Sequence, residues 1–263
     1  MKSMVTTKID IRGVTTITLN RPEKHNAFDD QMVNQLTSAF EQTTTNPNSR
    51  VLILAAAGKT FSAGADLHWM KRMGKYSYKE NLKDAGSLAY MLKILNEIPL
   101  PTIARIQGPA FGGALGLISC CDIAIAATKA SFAFSEVKIG LIPATISPYI
   151  IEAIGSRAAR RYFMTGEKFE AQQAVELGLI NEAVEETQLD NTIAQFINTL
   201  LGNSPTAMHS AKQLVQDIRN RSINDELIKE TCERIADIRR SKEGQEGLSA
   251  FLEKRKPHWR QDN

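Results

Sequence analysis

Short apolar runs along the first half of the chain are the feature that most limits what this sequence can fold into. Residues 51–55 form an apolar run without a polar interruption, residues 123–126 are similar, and residues 103–106 are similar apart from Arg105. Such runs are typical of strands that are buried on both faces of a parallel sheet. A β-branched run at Val14–Leu19 and a four-residue apolar repeat through residues 32–40 alternate with them, as strands and helices do in layered proteins. The sequence therefore predicts an α/β fold.

The second half of the chain has a different pattern. From about Ser156 the strand signals weaken, and helical patterns with clear caps take over. Ser156 is a typical helix start, and so is Ser204 followed by Pro205. This part is therefore predicted to be a helical module that packs on the rest of the chain. The predicted helices span residues 156–166, 170–177, 205–219 and 224–240.

Composition and spacing exclude several classes of protein. The net charge of +3 and the pI of about 8.7 do not indicate a nucleic-acid partner, since such domains often have a pI above about 9. No apolar stretch approaches the roughly 20 residues of a membrane span, and residues 1–13 lack the apolar core of a signal peptide. We therefore expect a protein of the cytoplasm or an equivalent compartment. The scattered histidines and the lack of a C-x-x-C pair predict no metal site.

Two segments rich in glycine and small residues, 61–67 and 108–116, point to chemistry. Each follows a predicted strand and leads into a helix, where free backbone N–H groups carry partial positive charge. Two such turns facing each other would form a two-donor oxyanion hole, whereas each turn alone is also explained by packing. A phosphate-binding loop is excluded because Ala114 occupies the lysine position, and the chain has no G-x-S-x-G elbow.

Six ordered blocks extend this pattern over nearly the whole chain, and in order, spacing and residue type they resemble the crotonase (enoyl-CoA hydratase/isomerase) superfamily. The blocks are residues 20–27, 61–66, 108–122, 134–143, 174–180 and 246–255. The resemblance implies a spiral core of repeated β-β-α units in residues 1–200 and a helical trimerisation region in residues 201–263. It also implies an acyl-CoA substrate, no cofactor besides the coenzyme A of that substrate, and a homo-oligomer that is a trimer or a dimer of trimers.

The resemblance also implies roles for single residues. The N–H groups of Ala63 and Gly113 would form the oxyanion hole, whose donors are worth about 2.7–4 kcal/mol each in other enzymes. Glu136 would exchange a proton at the α-carbon of the thioester, since burial near apolar groups would raise its pKa. The second glutamate of family hydratases, which holds water against the β-carbon, is replaced by Gly116. The implied coenzyme A contacts are Ala65, Asp66 and Leu67 in the adenine pocket, Lys24 nearby, and Phe251 and Lys254 from a neighbouring subunit.

The choice of reaction depends on a narrower resemblance. Residues 111–122, 135–137 and 143–148 are similar to those of bacterial methylglutaconyl-CoA and carboxygeranoyl-CoA-type hydratases, which act in leucine and acyclic terpene breakdown. We therefore predict hydration of a methylglutaconyl-type substrate, whose second carboxylate would help to hold water where Gly116 leaves room. A Δ3,Δ2-enoyl-CoA isomerase is the alternative, because one carboxylate, Glu136, can move a proton between two carbons. An RNA-binding protein is a remote third interpretation.

Overall fold

The computed structural model describes residues 3–260, so the outermost residues of the two predicted regions, 1–2 and 261–263, lie outside it. Nine strands and ten α-helices lie within the described range. The strands are β1 (Val5–Ile9), β2 (Val14–Leu19), β3 (Val51–Ala56), β4 (Thr102–Ile106), β5 (Ala110–Phe111), β6 (Ile123–Ala127), β7 (Ser131–Ala133), β8 (Phe169–Glu170) and β9 (Glu182–Val184). The helices are α1 (Asp30–Thr45), α2 (Leu67–Met73), α3 (Tyr78–Glu97), α4 (Gly113–Ser119), α5 (Ser147–Thr165), α6 (Ala171–Leu177), α7 (Leu189–Leu201), α8 (Pro205–Ile218), α9 (Asp225–Arg240) and α10 (Lys242–Leu252).

The strands form two sheets. The larger has the order β1-β2-β3-β4-β6-β9, in which β1 is antiparallel to β2 and every other neighbouring pair is parallel. The smaller has the order β5-β7-β8, with β5 parallel to β7 and β8 antiparallel to it. Because the parallel strands end at the same edge, the turns after β3 and β4 lie next to each other there. Ligands commonly bind at this edge in α/β proteins.

The central strand β3 is buried on both faces, as its sequence predicts. Val51 and Ile53 face one apolar cluster, which helix α7 covers with Leu189, Ile193 and Ile197. The alternate residues of β3 belong to the larger cluster, which contains the buried faces of α1, α3, α4 and α5. The predicted α/β fold is confirmed, and the four predicted strands agree with β2, β3, β4 and β6 to within one residue at either end.

Helix α5 contains the predicted helix as its second segment. The backbone of Gly155 is non-helical (φ 73°, ψ 159°), so α5 is broken there and its second segment runs from Ser156 to Thr165. The first segment was not predicted; it begins at Ser147, with Pro148 in its first turn, where a proline is tolerated. The strand signals weaken after Ser156 as predicted, although the short strands β8 and β9 lie in this half.

The C-terminal helices pack on the core through α8. Lys212 forms an ion pair with Asp122 at 2.9 Å, and the side-chain amide of Gln216 donates to the Asn96 carbonyl at 2.9 Å. Helix α8 follows the predicted cap Ser204, and α9 follows Asn224, whose side chain caps it at the predicted start of that helix. No helix within residues 3–260 combines the length and the apolar character needed to cross a membrane.

Candidate active site

The two glycine-rich segments lie side by side at the carboxyl edge of the larger sheet. We call them the first turn (residues 57–66, after β3) and the second turn (residues 107–113, after β4). The Phe61 N–H donates to the Pro109 carbonyl, and the Phe111 N–H donates to the Ser62 carbonyl, both at 3.0 Å. Gly64 has φ +86°, and a Cβ there would lie 2.8 Å from the Phe111 carbonyl oxygen. Glycine therefore permits both the left-handed backbone and the close approach of the two turns.

A preceding loop fixes the first turn, and its key residue is Asn26. This side chain is fully buried, and its amide donates to the carbonyls of Ala57 and Thr60, both at 2.8 Å. Its backbone is left-handed (φ 53°), a conformation that asparagine adopts more readily than most residues. The sequence places Asn26 in a family block, but no role follows from the block itself. The structure identifies it as a positioning residue for the site.

The available amides of the site differ from those predicted. The Ala63 N–H donates to the His25 carbonyl at 2.9 Å, so Ala63 is not a free oxyanion donor and that assignment is wrong. Within residues 3–260, the neighbouring Ala65 N–H has no acceptor. The Gly113 N–H also has none within this range, as expected for the first residue of helix α4. The first turn therefore offers the Ala65 amide, and the second turn offers the amide of Gly113.

Glu136 is the titratable side chain at this site. It begins a short 3-10 turn after β7, and its Oε1 lies 3.2 Å from the position that a Cβ would take on Gly112. Its Oε2 is buried and has no hydrogen-bond partner among the described residues. Burial raises the pKa of the Glu136 carboxyl, and a hydrogen bond from its own backbone N–H offsets only part of that effect. A buried carboxyl with a raised pKa and one unpartnered oxygen is suited to giving and taking a proton.

The space beside Gly116 is filled, which corrects the expectation that this glycine leaves room. A Cβ on Gly116 would lie 2.4 Å from Cγ2 of Ile146 and 3.4 Å from Cδ2 of Leu92. Gly116 is itself buried, and the other two side chains are 1% and 0% exposed. The position that holds a second glutamate in family hydratases is therefore surrounded here by apolar side chains. Gly116 offers no group for proton transfer and no space for a water molecule.

Among the predicted adenine-pocket residues, Asp66 has a structural task. Its carboxylate caps helix α2 by accepting from the amides of His68 and Trp69, and it pairs with Arg21 at 3.2 Å. Burial opposes its ionisation, but these amides and the Arg21 guanidinium together lower the pKa of Asp66. The Asp66 side chain is thus occupied inside the chain. Leu67 and Lys24 are exposed nearby, and their contact with coenzyme A stays a prediction.

The other predicted contacts, Phe251 and Lys254, are exposed in the C-terminal region. This region is anchored at the amino end of β3, where Arg50 donates to the Trp259 carbonyl at 3.0 Å. The candidate site lies beyond the opposite end of that strand. No described hydrogen bond or ion pair joins Phe251 or Lys254 to the two turns, and their contact with coenzyme A stays a prediction.

Comparison with known proteins agrees with this arrangement. The family model of enoyl-CoA hydratase/isomerase matches residues 10–262. A crystal structure of an enoyl-CoA hydratase from Shewanella pealeana is 48% identical, covers 98% of this chain and 96% of its own, and superimposes with a TM-score of 0.95. An enoyl-CoA isomerase/hydratase of Mycosarcoma maydis is 33% identical over 94% of this chain and 93% of its own. A hydroxycinnamoyl-CoA hydratase-lyase of Pseudomonas fluorescens is 34% identical over 79% of this chain and 76% of its own.

Proposed function

The chain belongs to the enoyl-CoA hydratase/isomerase family, and from this premise we propose that it hydrates an enoyl-CoA of the methylglutaconyl type with Glu136 as its only acid/base group. The observation that carries the proposal is the buried Glu136 carboxyl with its unpartnered oxygen, next to the glycine turn that begins α4. A group of this kind can transfer a proton at the α-carbon of a thioester once the developing negative charge is stabilised.

The amides of Ala65 and Gly113 would supply that stabilisation. Both N–H groups lack an acceptor within residues 3–260 and would donate to the thioester oxygen. In the proposed reaction, water adds through its oxygen to the β-carbon and the double-bond electrons move towards the thioester, which forms an enolate. The α-carbon then takes up a proton, so the product contains all the atoms of substrate and water. Glu136 would take the proton from the water and deliver one to the α-carbon.

The substrate class follows from what position 116 lacks. Family hydratases orient water with a second glutamate, and here that position is a glycine in contact with Ile146. We infer that a group on the substrate orients the water in place of that glutamate. A methylglutaconyl-type acyl group carries its own distal carboxylate, which can accept a hydrogen bond from the water. Crotonyl-CoA lacks this carboxylate, so we expect it to have a lower kcat and to bind more weakly than methylglutaconyl-CoA.

The same single carboxyl favours a second candidate, Δ3,Δ2-enoyl-CoA isomerisation. In that reaction one base removes a proton from the α-carbon of a 3-enoyl-CoA and returns it to the γ-carbon of the enolate. No water is needed, and the apolar contact at Gly116 is compatible with this. The isomerase reaction thus uses the same oxyanion donors and the same Glu136, and differs only in the carbon that receives the proton.

A panel of acyl-CoA substrates followed by mass spectrometry separates the two candidates. Methylglutaconyl-CoA should gain the mass of one water, and crotonyl-CoA should react much more slowly. Conversion of a 3-enoyl-CoA without a mass change, faster than any hydration, would assign the protein as an isomerase. Equal hydration of crotonyl-CoA and methylglutaconyl-CoA would contradict the proposed role of the distal carboxylate.

We also propose that the active form is a trimer or a dimer of trimers in which a neighbouring subunit brings Phe251 and Lys254 to the coenzyme A. Exposed apolar side chains on the C-terminal helices support this, since such surfaces commonly pack against a partner. They include Val215, Ile228, Ile235, Leu248, Phe251 and Leu252. Light scattering of the purified chain measures the mass of the assembly, and a monomer with full activity would contradict the proposal.

A further inference from the structure

Helix α4 begins at Gly113 and carries Gly116 three positions further along, so these two glycines lie on the same side of the helix. Gly112 precedes the helix with a non-helical backbone, and the Glu136 carboxylate lies 3.2 Å from its Cβ position. A Cβ on Gly113 would lie 2.8 Å from Cζ of Phe28. About one helical turn, or 5.4 Å, from the start of α4, the atoms nearest to the Cβ position of Gly116 belong to the apolar side chains of Ile146 and Leu92.

We propose that Ile146, supported by Leu92, closes the acyl pocket at the second turn of α4 and makes the enzyme selective for compact acyl groups. The inference rests on the proposed function in one respect, since it takes Glu136 to mark the position of the reacting carbons. An acyl group that extends from there past the start of α4 towards Gly116 reaches Ile146 within about one helical turn. Ile146 is then a specificity-determining residue within residues 143–148, a segment of the narrower resemblance that by itself gives no single residue a role.

The closure is tight and firmly held. Two atoms of Ile146, Cγ2 and Cβ, lie 2.4 Å and 2.9 Å from the Cβ position of Gly116, so its Cβ as well as its branch lies against the helix. The backbone of Ile146 is fixed at the start of α5, where its carbonyl accepts from the Ile150 N–H at 3.1 Å. The side chain is 1% exposed. An acyl chain therefore cannot displace it as it could the free end of a flexible surface residue.

Binding of saturated acyl-CoA thioesters tests this closure without any reaction. Isothermal titration calorimetry with butanoyl-CoA and octanoyl-CoA gives the ratio of the two dissociation constants. In the unaltered protein the ratio should favour butanoyl-CoA. Ile146→Ala removes three carbon atoms from the closing side chain, and we expect it to shift the ratio towards octanoyl-CoA by about tenfold or more, since a single methylene in a closed pocket is worth at least that much.

Ile150→Ala is the matched control. Ile150 is also fully buried, lies one turn further along α5, and contributes none of the three atoms nearest to the Cβ position of Gly116. The Ile150→Ala substitution should destabilise the core in a similar way and leave the ratio of the two dissociation constants unchanged. If Ile146→Ala does not fold, Leu92→Ala tests the same closure from its other side, with the same direction expected.

Two results would overturn the inference. One is an unchanged ratio in a folded Ile146→Ala protein that still binds acyl-CoA, and the other is an equal shift in Ile150→Ala. Failure of the proposed function is distinguishable from either. If the binding ratio shifts as expected but the protein neither hydrates nor isomerises an enoyl-CoA, the closed acyl pocket stands and only the proposed reaction is contradicted.

Discussion

Replacing Glu136 by glutamine removes a proton carrier while keeping the size of the side chain. We expect kcat to fall by about 10²–10⁴-fold, the usual contribution of a positioned acid or base. This corresponds to about 2.7–5.5 kcal/mol of transition-state stabilisation. The loss should be near the upper end of that range, because the second family position holds Gly116 and the contacts there are apolar. No carboxylate at that position can take over the proton transfer.

The same substitution should alter how stability depends on pH. Burial raises the pKa of Glu136 in the folded protein above its ordinary value of 4.5, so the folded state holds the proton more tightly than the unfolded chain does. The contribution of Glu136 to the wild-type free energy of unfolding therefore falls as the pH rises from about 4.5 through the raised pKa, and that contribution is constant above it. Glutamine does not titrate. Relative to wild type, Glu136→Gln should become progressively more stable across this interval.

Urea unfolding at several pH values measures the free energies, and initial rates with the preferred enoyl-CoA measure the activity. Circular dichroism establishes that the variant is folded. Near-normal turnover in a folded Glu136→Gln protein would refute the catalytic assignment. A stability difference between variant and wild type that does not change between pH 4 and pH 8 would refute the reasoning that burial raises the pKa of this carboxyl.

Three further predictions concern the proposed oxyanion donor, the cap of α2 and the proposed contact with coenzyme A. Ala65→Pro removes the proposed oxyanion donor and should lower kcat by about 10²–10³-fold, whereas Ala63→Pro removes a structural hydrogen bond and should chiefly lower the melting temperature. Asp66→Ala should cost about 0.5–2 kcal/mol of unfolding free energy through the lost cap of α2. Because the pKa of Asp66 is lowered in the folded state, that cost should shrink as the pH falls below the unfolded value and disappear once the pH is below the lowered folded pKa, which urea unfolding measures. Lys254→Ala should raise KM with kcat nearly unchanged, and a fall in kcat alone would place Lys254 in the chemistry or in assembly.

The parts of the fold that were predictable are those with local causes. The continuous apolar run of β3 requires burial on both faces, and the Asn224 side chain caps α9 through the Leu227 amide at 2.9 Å. The second segment of α5 was predictable from Ser156, which follows the non-helical Gly155. The first segment, from Ser147, was not, because Pro148 is tolerated in the first turn of a helix but also occurs in loops.

The oxyanion donors show what a turn sequence leaves undetermined. Ala63 and Ala65 are the same residue type on either side of Gly64, and nothing in their composition distinguishes them. The distinction comes from the loop around Asn26, which is distant in sequence and places the His25 carbonyl against the Ala63 amide at 2.9 Å. Which amide is a free donor thus depends on which one already donates a hydrogen bond to the neighbouring loop, and this is known only from the folded chain.

Gly116 and Ile146 show that the space beside a residue, like the hydrogen bonding of an amide, is decided by a part of the chain that is distant in sequence. Read alone, a glycine at a position that usually holds glutamate indicates empty space, and empty space beside a reacting carbon suggests water. A residue thirty positions away fills that space with a side chain that is almost completely buried. Installing Gly116→Glu by itself should therefore cost stability through overpacking, typically about 1–3 kcal/mol, rather than restore a second acid. Only together with a smaller residue at 146 can a carboxylate enter this position, so the two residues have to be exchanged as a pair. Urea unfolding of the single and double variants measures their coupling, and strictly additive costs would contradict it.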